Sequence, residues 1–391
     1  MSVDALLAGL RHEARSVPES GIVEAVNYGR TREGLIPLWA GEGDLPTPGF
    51  ICDAATRSLA AGETFYTWQR GIPDLRQALA GYHSDLFGKA FEADQFFVTG
   101  SGMQAIQLCL QAIAGAGDEL IVPMPAWPNF AAAAQILGAR SVPVLMRHGN
   151  NGWQLDLDEL LSAATAKTRA LYLNSPNNPT GWTATRDELA SILAFCRTRG
   201  IWIIADEVYA QFYWRGDAPR APSFYDVMED DDRILFVNTF SKNWAMTGWR
   251  MGWIGAHPAL GQLFENLVQY STSGVAGFMQ RAGVAALTQG RDFLRFQIER
   301  AKTGRAIVCD ALSASSRLRF SPPDGAFYAF FAVDGFENSR TAALQLIDEA
   351  NIGLAPGMAF NEGGEAFLRI CFARSDNQLE EAMARLTAWL R

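Results

Sequence analysis

The stretch Thr239-Phe-Ser-Lys-Asn-Trp-Ala-Met-Thr-Gly-Trp-Arg-Met-Gly252 follows a short apolar run, Ile234-Leu-Phe-Val237, which reads as a buried strand. Two hydroxyls, Thr239 and Ser241, come directly after that strand, then Lys242, then Gly248, Arg250 and Gly252. A lysine among apolar and aromatic neighbours is unusual, because desolvation disfavours its charged form and lowers its pKa. An amine that gives up its proton near neutral pH attacks carbonyl carbon. The guanidinium of Arg250 adds a planar fork suited to phosphate. A surface-loop lysine with a structural arginine would use the same residues.

Working outward, a length of 391 residues implies two domains and a large core. A composition of 49% hydrophobic and 19% charged residues is that of a globular chain. A net charge of −9 argues against a nucleic-acid surface and fits a protein handling small molecules. Cys52, Cys109, Cys196, Cys309 and Cys371 lie far apart with no CxxC spacing, so free thiols in a reducing, cytoplasmic setting are expected. His12, His83, His148 and His257 show no ligand spacing, and no metal is expected. The N-terminus shows no signal-type apolar core. Residues 95–117 and 120–139 lack charge, but Gly, Pro, Ser, Asn and Gln interrupt them, so they read as domain core and not as membrane spans.

Residues 1–40 read as a short helix and an irregular arm. Ala40-Gly-Glu-Gly-Asp-Leu-Pro-Thr-Pro48 excludes regular structure, and Gly41 marks a turn or a close approach of backbone to ligand. A helix is predicted over 49–61, then an aromatic loop, Tyr66-Thr-Trp-Gln-Arg-Gly71, and a helix with Pro73 in its first turn. From there strands and helices alternate. A strand over 95–99 enters Gly100-Ser-Gly-Met103 and a helix to about Ala114; such a turn cradles anions, although tight βα turns use the same residues for steric reasons. A strand over 119–122 ends in a proline-fixed loop carrying Trp127, either a core aromatic or a ring that stacks on a planar ligand. A strand over 170–173 stops at Asn174-Ser-Pro-Asn-Asn-Pro-Thr-Gly181. Thr185-Arg-Asp-Glu188 is a capping box for a helix ending at Gly200. Ile201-Trp-Ile-Ile-Ala205 ends at Asp206-Glu-Val-Tyr209, and a carboxylate at the end of a buried strand is costly without a cationic partner. The next strand leads to Lys242. In open α/β sheets ligands bind outside the carboxyl ends of the strands, and here those ends collect a phosphate-type turn, a tryptophan, a polar loop, an aspartate and a lysine. A carbonyl-directed amine beside a phosphate clamp is what pyridoxal phosphate requires.

This set resembles the class I/II pyridoxal-phosphate-dependent aminotransferases of fold type I, the aspartate aminotransferase superfamily, over nearly the whole chain. Ser241-Lys-Asn-Trp-Ala-Met-Thr-Gly-Trp-Arg-Met-Gly252 is similar to that family's attachment motif, and Asn178-Pro-Thr-Gly181 and Asp206-Glu-Val-Tyr209 to its other landmarks. The resemblance implies a large three-layer α/β domain with a mostly parallel sheet (45–285) and a smaller α+β domain (286–391), to which the arm 1–44 belongs. It implies that Lys242 carries the cofactor and moves the proton. Asp206 pairs with the pyridinium nitrogen, Asn178 and Tyr209 bond the 3′-oxygen, and Trp127 stacks on the ring. Ser101, Gly102, Met103, Ser241 and Arg250 hold the phosphate, with Thr239 as a further contact. Tyr66 reaches the phosphate from the neighbouring subunit of a homodimer. Within Leu368-Arg-Ile-Cys-Phe-Ala373, which alternates as a strand, Arg369 is the substrate-carboxylate clamp by resemblance; by itself it reads as a sheet-surface arginine with a salt bridge. Gly41 matches the substrate-side glycine. Cys371 stands where the family often has Ser, and Gly43 where it often has Pro.

The activity implied is ping-pong transfer of an amino group between an L-amino acid and a 2-oxo acid. A C–S β-lyase on the same scaffold and a pyridoxal-phosphate-binding regulator are the alternatives; the regulator would need an appended DNA-binding domain. Dicarboxylate-specific relatives place a lysine where Met103 stands, or an arginine within the segment Gln269-Tyr-Ser-Thr-Ser-Gly274, and this chain has neither. A neutral donor, aromatic or large aliphatic, is therefore expected, unless Arg32 or Arg70 swings a charge into the pocket.

Overall fold

A computed structural model describes residues 7–391; the first six, at the start of the expected arm 1–44, lie outside the described residues. Seven strands form one sheet: β1 (Phe96–Thr99), β2 (Glu119–Met124), β3 (Arg140–Leu145), β4 (Thr168–Asn174), β5 (Trp202–Asp206), β6 (Ile234–Thr239) and β7 (Gly252–Gly255). Their spatial order is β1-β7-β6-β5-β4-β2-β3. Only β7 runs antiparallel to its neighbours. The central strands are buried on both faces, which is why they read as continuous apolar runs. Successive residues of β4 alternate between two apolar clusters: Leu171 and Leu173 in one, Ala170 and Tyr172 in the other. No helix of the described residues is long and apolar enough to cross a membrane.

The helix boundaries follow local chemistry. Pro73 opens the helix Pro73–Phe87 at its first position, where its missing N–H costs nothing. Thr185 and Glu188 exchange the two bonds of a capping box, and the helix Arg186–Arg199 ends where Gly200 takes a left-handed φ of 65°. β3 has no counterpart in the sequence reading. It is one of the sheet's two edge strands, mostly uncovered, and carries Pro143, so it lacks the apolar signature of its neighbours. β2 runs two residues beyond the expected end. Its ladder to β4 covers only Glu119–Ile121, so Pro123 lies where that pairing has stopped.

A second sheet contains β8 (Leu318–Arg319), β9 (Tyr328–Val333), β10 (Ala355–Pro356) and β11 (Phe367–Cys371), ordered β8-β9-β11-β10 and antiparallel. β8 and β9 are separate strands because Pro322-Pro323-Asp324-Gly325 falls between them. Arg369 lies in the middle of β11, paired with Phe330 on one side and Ala355 on the other. The expected alternation along this strand is absent: all five residues of β11 are buried. Helices Arg291–Ser313 and Asp376–Trp389 cover this sheet with a separate apolar cluster.

Candidate active site

A cavity of about 480 Å³ opens at the carboxyl ends of the large sheet and is closed on its other side by Arg369 and Tyr328 of the small sheet. The parallel register sets the ends of β4 and β5 side by side, with Asn174 opposite Asp206 and Asp206 opposite Val237 of β6. The residues that follow these strands therefore converge, as the carboxyl-end rule anticipates.

Lys242 sits three residues past β6, and its Nζ donates to the carbonyl of Gly41 at 2.7 Å. Burial lowers its pKa from 10.5 to about 8, and the Arg369 guanidinium adds to the effect. The other lysines, Lys89, Lys167 and Lys302, are all exposed. Gln297 Nε2 fixes the loop by donating to the carbonyls of Lys242 at 3.3 Å and Asn243 at 3.0 Å. Asp206 is fully buried. Tyr172 Oη donates to its Oδ2 at 2.7 Å, and the Val208 amide reaches Oδ1 at 3.4 Å. Burial pushes its pKa up to about 6, against the pull of the Tyr172 hydrogen bond.

Asn178 is held by its amide, which donates to Asn174 Oδ1 at 2.8 Å. Its own Oδ1 accepts from Arg369 Nη1 at 2.8 Å. Arg369 also donates to the Trp39 carbonyl and lies over the rings of Tyr328 (4.4 Å) and Phe360 (4.8 Å). Its buried Nε has no partner among the described residues, a costly state for a charged donor that a ligand carboxylate would relieve. Arg369 is thus wholly buried, and the surface salt-bridge reading falls away. Tyr209 and Tyr328 join their hydroxyls at 2.8 Å, and burial drives the Tyr209 phenol above its usual range. Gly41 has a steric reason: a Cβ there would come within 2.7 Å of Tyr328 Oη.

At the other end, helix Gly102–Ile113 aims its N-terminus at the cavity. The first-turn amides of Gly102 and Met103 have no partner within the helix. Thr239 Oγ1 lies 2.9 Å from Ser241 Oγ and 3.0 Å from the Met251 carbonyl. Arg250 lines this end from a left-handed backbone, φ 50°, which costs a non-glycine residue about 1–3 kcal/mol. Gly252 lies directly beneath: a Cβ there would meet the Gly102 amide nitrogen at 2.7 Å and the Asn238 carbonyl at 2.7 Å. Free amides at a helix end, two hydroxyls and an arginine make a fitting seat for a phosphate dianion. An amine of lowered pKa and a buried carboxylate complete the donor set that pyridoxal phosphate needs.

Most of the residues singled out from the sequence line this cavity, Trp127 and Met103 among them. Two do not. Ser101 caps the helix, its Oγ accepting from the Gln104 amide at 2.9 Å. Tyr66 is 91% exposed and away from its own chain's cavity. Arg32 and Arg70 are elsewhere, Arg32 paired with Asp348 and Arg70 with Glu265 at 2.7 Å. Sequence reasoning missed Tyr328, Asn174 and Tyr172. A tyrosine two residues before a strand-end asparagine was the one available signal for Tyr172.

The fold and this site define an enzyme of the fold-type-I, pyridoxal-phosphate-dependent group. The chain belongs to the family of aminotransferases class I and II, whose profile matches residues 33–386. It is 32% identical over 373 residues to an aspartate aminotransferase of Pyrococcus horikoshii, covering 95% of this chain and 94% of that protein. The crystal structure of an aspartate aminotransferase from Thermotoga maritima superposes with a TM-score of 0.90 at 31% identity, over 97% of this chain and 100% of that one. An aromatic aminotransferase from Pyrococcus horikoshii gives a TM-score of 0.85 at 31% identity, over 94% of this chain and 98% of that one. The protein is a pyridoxal-phosphate-dependent aminotransferase acting on amino acids and 2-oxo acids.

Proposed function

We propose that this enzyme transfers the amino group of an L-amino acid with a neutral, aromatic or large aliphatic side chain. When bound, pyridoxal phosphate supplies a carbonyl for the amine and a ring that draws electron density from the substrate Cα. Everything else falls to the chain. Lys242, with its pKa near 8, presents an uncharged amine to that carbonyl and afterwards moves a proton at Nζ. Asp206 meets the ring nitrogen, and Asn178 and Tyr209 meet the 3′-oxygen. Trp127 covers one ring face. The amides of Ser101, Gly102 and Met103, with Thr239, Ser241 and Arg250, hold the phosphate. Arg369 takes the substrate carboxylate, with Gly41 leaving room for it.

Homodimerisation belongs to the same reading. Phe65, Tyr66, Trp68 and Tyr270 are 84%, 91%, 62% and 88% exposed, an aromatic surface unusual for a free subunit. Their loops are joined by Gln69 Nε2 donating to Gln269 Oε1 at 2.8 Å. Gln104 Nε2 ties the second loop to the phosphate helix through Ser271 at 3.1 Å and Thr272 at 3.2 Å. A second subunit docked there would bring its Tyr66 to this phosphate seat.

The observation that carries the substrate assignment is the set of cations in the cavity. Lys242, Arg250 and Arg369 are its only lysines or arginines among the described residues, and each already has a role. Ile22, Met103, Ile106 and Val208 supply apolar wall. A distal carboxylate would be buried without a partner, at a cost of several kcal/mol. The relatives named for aspartate are therefore a guide to chemistry and not to side-chain preference. Comparing kcat/KM for phenylalanine, methionine, alanine and aspartate tests this: phenylalanine or methionine leads, and aspartate as the best donor overturns it.

A further inference from the structure

The geometry points to Tyr172 as a positioning residue that acts through Asp206 on the cofactor's ring nitrogen. The inference rests on the assignment of Asp206 made above. Tyr172 and Asp206 occupy adjacent parallel strands on the same sheet face. Asn174, two residues after Tyr172, pairs directly with Asp206, so Tyr172 is its diagonal neighbour. The phenol is 1% exposed and donates to Asp206 Oδ2 at 2.7 Å. The ring is fixed from the far side by Phe130, stacked at 3.9 Å with an interplanar angle of 16°. The Asn174 amide donates to the Asp206 main-chain carbonyl at 3.1 Å and its oxygen accepts from the Asn178 amide, so Tyr172 makes the short side-chain bond to the carboxylate itself.

The consequence is both geometric and electrostatic. One carboxylate oxygen is pinned by the phenol, which fixes the plane of the carboxylate and leaves Oδ1 with only a weak bond to the Val208 amide at 3.4 Å. A hydrogen bond to an ionised carboxylate favours that charged form, opposing burial, which favours the neutral acid. Burial raises the Tyr172 phenol well above its usual range, so it stays a donor. The phenol thereby orients Asp206 and favours its ionised form against the effect of burial.

The test compares the affinity of the apo-protein for pyridoxal phosphate with that for its 1-deaza analogue, in which CH replaces the ring nitrogen. Binding is read by quenching of tryptophan fluorescence, with no turnover required. The wild type prefers pyridoxal phosphate. Tyr172→Phe keeps the ring stack and lowers that preference about tenfold, with little change in affinity for the analogue. Phe130→Leu, which removes the stacked ring but keeps the hydroxyl, loses less of the preference than Tyr172→Phe. An unchanged preference in Tyr172→Phe overturns the role of Tyr172 while leaving Asp206 in place. An equal loss in Phe130→Leu assigns the effect to packing and overturns it as well. A wild type with no preference overturns the Asp206 assignment itself, and Tyr172 with it.

Discussion

Arg369, in β11 of the small sheet, and Asn178, in the loop after β4 of the large sheet, meet over the cavity, Nη1 donating to Oδ1 at 2.8 Å. The contact joins the strand that is to hold the substrate carboxylate to the loop that is to hold the cofactor oxygen. Under the proposed roles, this one hydrogen bond links substrate recognition to cofactor recognition.

The first prediction follows from that contact. Arg369→Lys keeps the charge but loses the planar fork and its second donor. We expect kcat/KM for amino acids to fall roughly 100-fold or more. Reaction with a simple amine lacking a carboxylate falls far less. Equal losses for both would contradict a carboxylate clamp.

A second prediction concerns pH. Burial places the Lys242 pKa near 8, so the uncharged amine grows about tenfold per pH unit below that value and levels off above it. The rate at which apo-protein takes up pyridoxal phosphate, followed by absorbance, should bend near pH 8. A rate still climbing toward pH 10.5 would mean an ordinary exposed lysine.

The phosphate seat gives a paired prediction. Gly252→Ala forces a methyl against the Gly102 amide and the Asn238 carbonyl, both backbone, whereas Gly248→Ala meets nothing within 4 Å. The first should cost about 1–3 kcal/mol of stability and weaken cofactor binding. The second should leave both nearly unchanged in thermal denaturation and titration. Equal behaviour of the two variants would sink the steric account.

Shared sites make the fourth prediction. Tyr66→Ala and Lys242→Ala each impair activity alone, and mixing them should restore part of it through hybrid dimers with one intact site. Sedimentation at micromolar concentration should show a dimer. A monomer there, or no recovery on mixing, would contradict the role of Tyr66.

Much of the fold and site is legible in the sequence itself. Buried parallel strands advertise themselves by unbroken apolar runs, and their ends are where chemistry collects. Lys242, Asp206 and Trp127 stand out at those ends by order, the resemblance to the family adds Asn178, and the structure gathers all four at one cavity. Helix ends are legible wherever a local rule governs them, as at Pro73, Thr185 and Gly200. What stays hidden depends on pairing. β3 looks like loop because an edge strand needs neither apolar faces nor freedom from proline. Arg369 gives no sign of full burial, since its cover comes from Trp39, Tyr328 and Phe360, of which Trp39 is remote in the chain. Tyr172 reads as one more core aromatic until the register places it beside Asp206. Whether Arg32 or Arg70 enters the pocket is not legible either, because their carboxylate partners, Asp348 and Glu265, lie 316 and 195 residues away.

The central claim is that Lys242 carries the cofactor, and borohydride tests it most directly. Protein loaded with pyridoxal phosphate is reduced, digested and mapped by mass spectrometry. The account predicts the reduced pyridoxyl label on Lys242 alone, within the peptide that follows β6. Label on Lys89, Lys167 or Lys302 in its place would contradict it.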